Sequence, residues 1–225
     1  MKKPIPYLLV AICIVFVTNS YAQHRRYAIK NGVGIFGGIT QFNINTDNFD
    51  TKASTGYIGG LTATVDIPHK WYNVSYNIQL SENNIDINAE DSSTSNKEYV
   101  DYKMLTAQVA LLFHIKLISN IVTFDVGPML QYNGELELKD DSKEGLFISG
   151  YDNLFTEDIS DISKFNANGV VGITTGYGNF KLRAQYIYGF TNILEKLNDK
   201  ELSSSTPQKF KGNQSLLAFT AIITF

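Results

Sequence analysis

Residues 72–81 read Tyr-Asn-Val-Ser-Tyr-Asn-Ile-Gln-Leu-Ser, and this stretch decides the fold class. Every second side chain is apolar and every intervening one is polar, which is the two-residue period of a strand with one apolar face. Seven further segments after Gln23 repeat the alternation, and no helical period separates them. We therefore predict an all-β protein of eight antiparallel strands.

The connections between these strands alternate in length. Three are tight turns, at Pro68-His69-Lys70, Ser119-Asn120 and Gly178-Asn179. The other four are long and polar, at about 46–55, 82–100, 138–165 and 194–210. The apolar faces run for about nine to eleven residues, the length of a tilted strand that crosses a bilayer. Short periplasmic turns and long external loops are typical of an up-and-down transmembrane β-barrel, which is the fold that we predict.

A soluble barrel of the lipocalin kind is the alternative, because periodicity alone does not say whether the apolar column faces lipid or a ligand cavity. The aromatic residues favour the membrane, since they cluster at both ends of the apolar faces as in the two aromatic girdles of a membrane barrel. They are Tyr72, Phe124, Tyr177, Phe180 and Phe225 near the short turns, and Tyr57, Tyr132, Tyr188 and Phe190 near the long connections.

The first 22 residues have the anatomy of a signal peptide. Lys2 and Lys3 precede an apolar stretch from Tyr7 to Val17, and Ser20-Tyr21-Ala22 supplies small residues for cleavage after Ala22. The only cysteine, Cys13, lies in this stretch. We therefore expect a signal peptide at 1–22 and a barrel domain at 23–225 that lacks thiols and disulfides.

The charge balance gives no reason to expect a nucleic-acid partner. The chain carries a net charge of −3, and loss of Lys2 and Lys3 would leave 17 basic against 22 acidic side chains, a net −5. No basic stripe is present, and mild acidity fits an exposed secreted surface.

Several segments resemble the PorT-like outer-membrane β-barrel proteins of Gram-negative bacteria. They are Gly127-Pro128, the run from Leu182 to Tyr186 followed by Gly189 and Thr191-Asn192, and a last strand that ends in Phe225. The third strand departs from the family, because Ser75-Tyr76-Asn77 stands where relatives often carry an acidic motif. The resemblance covers essentially all of residues 23–225.

The resemblance implies an outer-membrane location and a part in protein export or envelope assembly. It also implies that Phe225 is the terminal aromatic signal read by the barrel-assembly machinery. The expected partners are therefore outer-membrane lipid, that machinery and other envelope or secretion proteins.

The polar faces place six charged or titratable side chains toward one end of the barrel interior: Asp66, His114, Lys116, Asp125, Lys181 and Arg183. Such a cluster is a candidate for proton transfer or ligand binding. An eight-stranded barrel, however, has an interior just wide enough for its own side chains, where opposite charges pair. We therefore predict a structural polar plug and no wide channel.

The sequence contains no GxSxG, HExxH or phosphate-cradling motif. His114 is the one candidate for activating a serine, which would have to lie within hydrogen-bond reach of it. We expect no catalytic residue, no cofactor and no metal site, and we keep a lipid-modifying enzyme centred on His114 as a minor alternative.

The connection at 138–165 mixes seven acidic residues with many apolar ones, among them Phe147, Tyr151 and Phe155. We expect this loop to cap the barrel mouth, with a partner contact through these three aromatic residues as the alternative. The leading function is that of a non-enzymatic structural or accessory protein of the outer membrane. A surface-binding protein that acts through 82–100 and 138–165 is the second candidate.

Overall fold

The computed structural model describes residues 29–66, 69–91, 96–151, 153–199 and 209–225. The predicted signal peptide and Cys13 lie outside these ranges, so the boundary at Ala22 stays a prediction. Among the described residues, no helix is long and apolar enough to cross a membrane.

The described residues form nine strands and three short 3₁₀ helices. The strands are β1 Lys30–Asn45, β2 Thr51–Asp66, β3 Tyr72–Glu90, β4 Lys97–Ile118, β5 Val122–Leu138, β6 Phe147–Ile148, β7 Phe165–Tyr177, β8 Phe180–Gly189 and β9 Asn213–Thr224. The 3₁₀ helices are Asp141–Lys143, Thr156–Ser160 and Glu195–Asp199.

Eight of these strands close into a ring. Each long strand pairs antiparallel with the next long strand of the chain, and β9 pairs with β1 to complete the cylinder. The two-residue strand β6 adds to the far end of β3, outside the ring. The predicted eight-stranded antiparallel barrel is confirmed.

The register fixes the tilt of the strands. Paired residues followed once around the ring lead from Lys30 back to β1 at Thr40, ten residues further along, by way of Asp66, Asn73, His114, Asp125, Gly172, Gln185 and Ala218. With ordinary strand spacing and rise, this offset corresponds to a tilt of about 40° and a backbone radius of about 8 Å. Side chains fill a cylinder of this width.

The apolar column of each strand faces outward. Val33 is 59% exposed and Leu130 is 70% exposed. On β4 the exposed column runs from Leu117 to Leu105, which at this tilt spans about 30 Å, the thickness of a hydrocarbon core. The soluble-barrel alternative is wrong, because it needs this column inside the barrel.

The strands project beyond this belt at the long-loop end, where the prediction of a loop at 82–100 is wrong. β3 continues to Glu90 and β4 begins at Lys97, with register kept from Ile87↔Val100 to Glu90↔Lys97. In these extensions the apolar side chains face inward and the polar ones outward, the reverse of the arrangement in the belt, because the outward face there meets water instead of lipid. Similarly, the first connection is shorter than predicted and comprises only residues 46–50.

The same end of the interior is apolar, so the expectation of a polar interior throughout is wrong. Inward side chains of the strand extensions pack against residues of the connections at 139–164 and 190–212, and we call this apolar cluster the dome. Its fully buried members include Ile44, Ile85, Ile87, Tyr102, Met104, Leu136, Ile148, Leu154, Ile159, Ile162, Ile193, Leu194 and Leu197.

Hydrogen bonds fix the connections over the dome. The hydroxyl of Tyr102 donates to the carbonyl oxygen of Thr156 at 2.9 Å, and the hydroxyl of Tyr151 donates to that of Asn48 at 3.0 Å. Burial raises the pKa of Tyr102, so this hydroxyl keeps its proton. The connection at 138–165 therefore packs across the mouth of the barrel.

Candidate functional site

The interior polar groups lie in two layers. Charged groups occupy the layer near the short turns, and a network of glutamine and asparagine side chains lies between that layer and the dome. The six charged or titratable residues singled out from the sequence all belong to the first layer. Strand alternation explains their placement, because Asp66, His114, Asp125 and Arg183 occupy inward positions of four strands.

Asp66 and Lys116 form an ion pair at the rim of the barrel. The Lys116 ammonium donates to Asp66 Oδ1 at 2.8 Å, and the Asn120 amide in the β4–β5 turn donates to Oδ2 at 3.0 Å. Both charged side chains are mostly buried. Each therefore has the partner that burial of its charge requires.

Ser75, His114 and Asp125 form a hydrogen-bonded row across β3, β4 and β5. Ser75 Oγ lies 2.7 Å from His114 Nε2, and His114 Nδ1 lies 2.6 Å from Asp125 Oδ1. A carboxylate only accepts hydrogen bonds, so His114 Nδ1 carries the proton that is donated to Asp125. In the neutral imidazole, Nε2 then accepts a hydrogen bond from the hydroxyl of Ser75. This is the order of groups that activates a serine nucleophile in acyl-transfer enzymes.

The surroundings of this row hold it closed. Ser75 is 1% exposed, and its oxygen also accepts a hydrogen bond from the Asn77 amide at 3.1 Å. In this conformation the hydroxyl lies out of reach of an ester substrate, because attack requires the reacting carbon within about 3.5 Å. The row therefore satisfies buried polar groups that would otherwise each be costly.

Asp125 is the centre of the charged layer. Thr123 donates to Oδ1 at 2.7 Å, Thr174 donates to Oδ2, and the Arg183 Nε lies 3.7 Å from Oδ2. Arg183 also donates to Thr174 at 3.0 Å and to Asn77. Asp125 is thus fully buried with neutral donors and one guanidinium around it.

The amide layer centres on Gln131. Its nitrogen donates to Asn133 at 2.6 Å and to Gln214 at 2.8 Å, while its oxygen accepts from Gln108 at 2.9 Å and from Asn168 at 3.0 Å. Gln79 in turn donates to Gln108, so the network crosses five strands. With the dome above it, this layer closes the interior.

Lys181 lies beside a small pocket at the short-turn end. The pocket contains about 20 Å³ of water-accessible space, room for one water molecule or a monatomic ion. Its walls are mainly hydroxyl, amide and cationic side chains, formed by Thr62, Thr64, Asn73, His114, Asn120, Thr123, Thr174, Lys181, Arg183, Ile222 and Thr224. Across the described part of the chain, no group of three or more His, Cys, Asp and Glu side chains is placed to hold a metal ion.

The remaining candidates lie on surfaces. Phe225 is 77% exposed on the lipid-facing side of the barrel end. Phe147 and Phe155 pair their rings at a centroid distance of 4.6 Å on the loop that covers the dome. Tyr151 stacks on Phe210 at 5.8 Å and so joins the two long connections. None of the three loop aromatic residues is fully exposed.

Sequence reasoning missed Ser75, Thr123, Thr174 and Gln131 as members of the site. All four stand at inward positions, which alternation alone identifies. What alternation does not give is the register: Asn73 pairs with His114, which brings Ser75 alongside it as a diagonal neighbour.

Three solved structures have a similar overall shape, and no curated protein matches the chain. Neisserial surface protein A has 12% identity and a TM-score of 0.48, and the match covers 88% of this chain and 99% of that one. OprG from Pseudomonas aeruginosa has 11% identity and a TM-score of 0.45, and the match covers 87% of this chain and 96% of that one. Ail, the attachment invasion locus protein of Yersinia pestis, has 12% identity and a TM-score of 0.40, and the match covers 87% of this chain and 99% of that one.

Family membership rests on the sequence match together with the closed ring and its apolar belt. The family described as outer membrane protein beta-barrel domain matches residues 21–195, more than three quarters of the chain. The protein therefore belongs to the outer-membrane β-barrel family and resides in the outer membrane.

Proposed function

We propose that the protein is a non-enzymatic and non-conducting scaffold of the outer membrane that serves an export or envelope-assembly machine of the PorT-like kind. The closure of the barrel at its outer end carries this proposal. A pore needs a continuous polar path, whereas here the amide layer and the dome occupy the interior in succession. The scaffold therefore acts through its surfaces.

Gly127 and Pro128, two of the residues that carry the PorT-like resemblance, have structural roles in the barrel wall. A Cβ on Gly127 would lie 1.9 Å from the carbonyl oxygen of Leu111, so only glycine fits. Pro128 is exposed to lipid and follows directly, where its missing N–H interrupts the ladder. The resemblance to the PorT-like family at these two residues therefore concerns the barrel wall. The export role is proposed by analogy with that family.

The experiment pairs a chromosomal deletion with two readouts. The deletion strain should accumulate unexported or misassembled envelope proteins, and the wild-type gene should restore them. The purified barrel in planar bilayers should show no stable channel. Steady single-channel steps would contradict the closed interior, and an unchanged profile of exported and outer-membrane proteins would contradict the accessory role.

One observation favours a second candidate, a surface-binding protein. The β3–β4 hairpin projects beyond the apolar belt and carries an exposed Tyr99 beside Lys97 and Glu98. The double change Lys97→Ala and Tyr99→Ala tests this candidate, because neither side chain contributes to the dome. Loss of binding to host cells or to other bacteria with normal barrel assembly would favour recognition, whereas normal binding would favour the scaffold.

Deleting 138–165 is a poor test between these functions. That segment supplies Ile148, Leu154, Ile159 and Ile162 to the dome, so its removal would expose an apolar interior to water. Point changes at Phe147 and Phe155, whose rings pair on the surface of the same loop, leave this packing in place and test the loop as a contact surface.

A further inference from the structure

The charges of the layer near the short turns do not balance. Lys116, Lys181 and Arg183 carry three positive charges, against two negative charges on Asp66 and Asp125, so the positive charges of these five residues exceed the negative ones by one. A charge that is partly removed from water and lacks a counter-charge is costly. This excess calls for a negative partner.

The unbalanced cation is Lys181. Asp66 is held by Lys116 and Asn120, and the oxygens of Asp125 accept from Thr123, His114 and Thr174. Lys181 has neither a hydrogen-bond partner nor an ion-pair partner within the described ranges, although its side chain is partly buried. Its ammonium N–H groups are therefore available to donate hydrogen bonds to a bound ligand.

The other walls of the pocket also offer donors. Thr62 is 2% exposed, and its hydroxyl, which faces no acceptor in the described structure, lies in the wall of the pocket. The guanidinium of Arg183 forms another part of the wall, and its hydrogen bonds go to Thr174 and Asn77 rather than to a carboxylate. Two cations and an unpaired hydroxyl thus surround about 20 Å³ of space.

We propose that this pocket binds a chloride-sized monovalent anion, which enters from the periplasmic mouth and balances the charge of Lys181, with Arg183 in the wall beside it. The volume excludes phosphate and organic acids, because it admits only about one water-sized particle. Asn120 of the β4–β5 turn forms part of the wall, which places the pocket at the rim. The anion completes the polar plug and stabilises the closed barrel.

The test compares the purified full-length barrel in zwitterionic detergent with sodium chloride or sodium gluconate at equal ionic strength. A ligand that binds only the folded state raises the unfolding midpoint with concentration. We expect chloride and bromide to raise the midpoint by several degrees in a saturable way, whereas gluconate is too large to enter. Crystals grown in bromide should show anomalous density between Lys181 and Arg183.

Lys181→Gln should abolish the difference between chloride and gluconate. Thr62→Val is the second variant and should weaken the concentration dependence. Lys103→Gln is the matched control, because Lys103 lies in the outer extension with Glu137 as its partner at 3.1 Å. Equal midpoints in the two salts with no bromide density would overturn the proposal and leave a pocket for water, as would a chloride effect that survives in Lys181→Gln.

Discussion

Ser75 and His114 meet as diagonal neighbours on β3 and β4, with 2.7 Å between Ser75 Oγ and His114 Nε2. With Asp125 on the far side of the imidazole, the three side chains have the connectivity of a catalytic triad inside a barrel that is closed at its outer end. Connectivity alone does not make an enzyme, because the nucleophile must also reach a substrate.

We therefore expect the native barrel to resist a fluorophosphonate probe at Ser75. The hydroxyl is buried and also held by Asn77, so the probe's phosphorus has no path to it. Intact-mass spectrometry of the purified protein after incubation measures this. A single adduct that Ser75→Ala abolishes would establish a reactive serine and revive the lipid-modifying alternative. His114→Ala should leave membrane lipid composition unchanged.

Gln131→Leu should destabilise the barrel by about 2–5 kcal/mol, because it leaves the buried amides of Gln108 and Asn168 without their acceptor. Unfolding in urea, followed by the fluorescence of the single tryptophan, Trp71, measures the free energy. Gln185→Leu is the control, a buried glutamine whose nitrogen has no partner among the described residues. An equal loss of unfolding free energy in the two variants would show that the hydrogen-bond network contributes no more than the space-filling of its side chains.

Asp86 and Asp101 face each other across the outer extension of β3 and β4. Burial and the neighbouring carboxyl of Asp101 raise the pKa of Asp86 above its ordinary 3.8. The folded state thus holds this proton more tightly than the unfolded state, so the contribution to stability is complete below pH 3.8 and is lost as the pH rises through the raised pKa.

Asp101→Asn removes the like charge and should stabilise the protein by about 0.2–1 kcal/mol at pH 7, with no gain near pH 3. Asp47→Asn, in the exposed β1–β2 turn, is the control. Thermal unfolding at the two pH values measures the effect, and an equal gain at both would show that charge repulsion is not its cause.

Phe225→Ala should reduce the amount of assembled barrel in the outer membrane while leaving the stability of the assembled fraction nearly unchanged. The ring is 77% exposed and contributes little packing, so its proposed role is recognition during assembly. The heat-modifiable band on an unheated gel measures assembly. Phe165→Ala, at 73% exposure, is the matched control, and an equal decrease there would indicate a general need for aromatic residues.

Alternation predicted the barrel because each strand within the belt has lipid on one side and polar groups on the other. The same rule failed at Ile85, Ile87 and Ala89, where the strand leaves the membrane and its inward face becomes the apolar one. A pattern read without the position of the membrane surface could not distinguish this inversion from a loop.

The charged layer was predictable as a set of inward residues but not as a set of contacts. Asp66, His114 and Arg183 stand at positions that alternation assigns to the interior. Which of them meet depends on the offset of ten residues around the ring, and no single strand encodes that offset. Ser75 and Gln131 were missed for this reason.

The dome also gives the protein a direction of insertion that cannot easily be reversed. Its side chains cross the bilayer before they pack, and once assembled they form a knob of buried isoleucine and leucine on the outer side. Pulling the chain back toward the periplasm would first require this knob to be dismantled in water. Loss of the protein from the membrane therefore requires the dome to unpack first. Its lifetime in the membrane depends on the rate of this unpacking rather than on equilibrium stability alone.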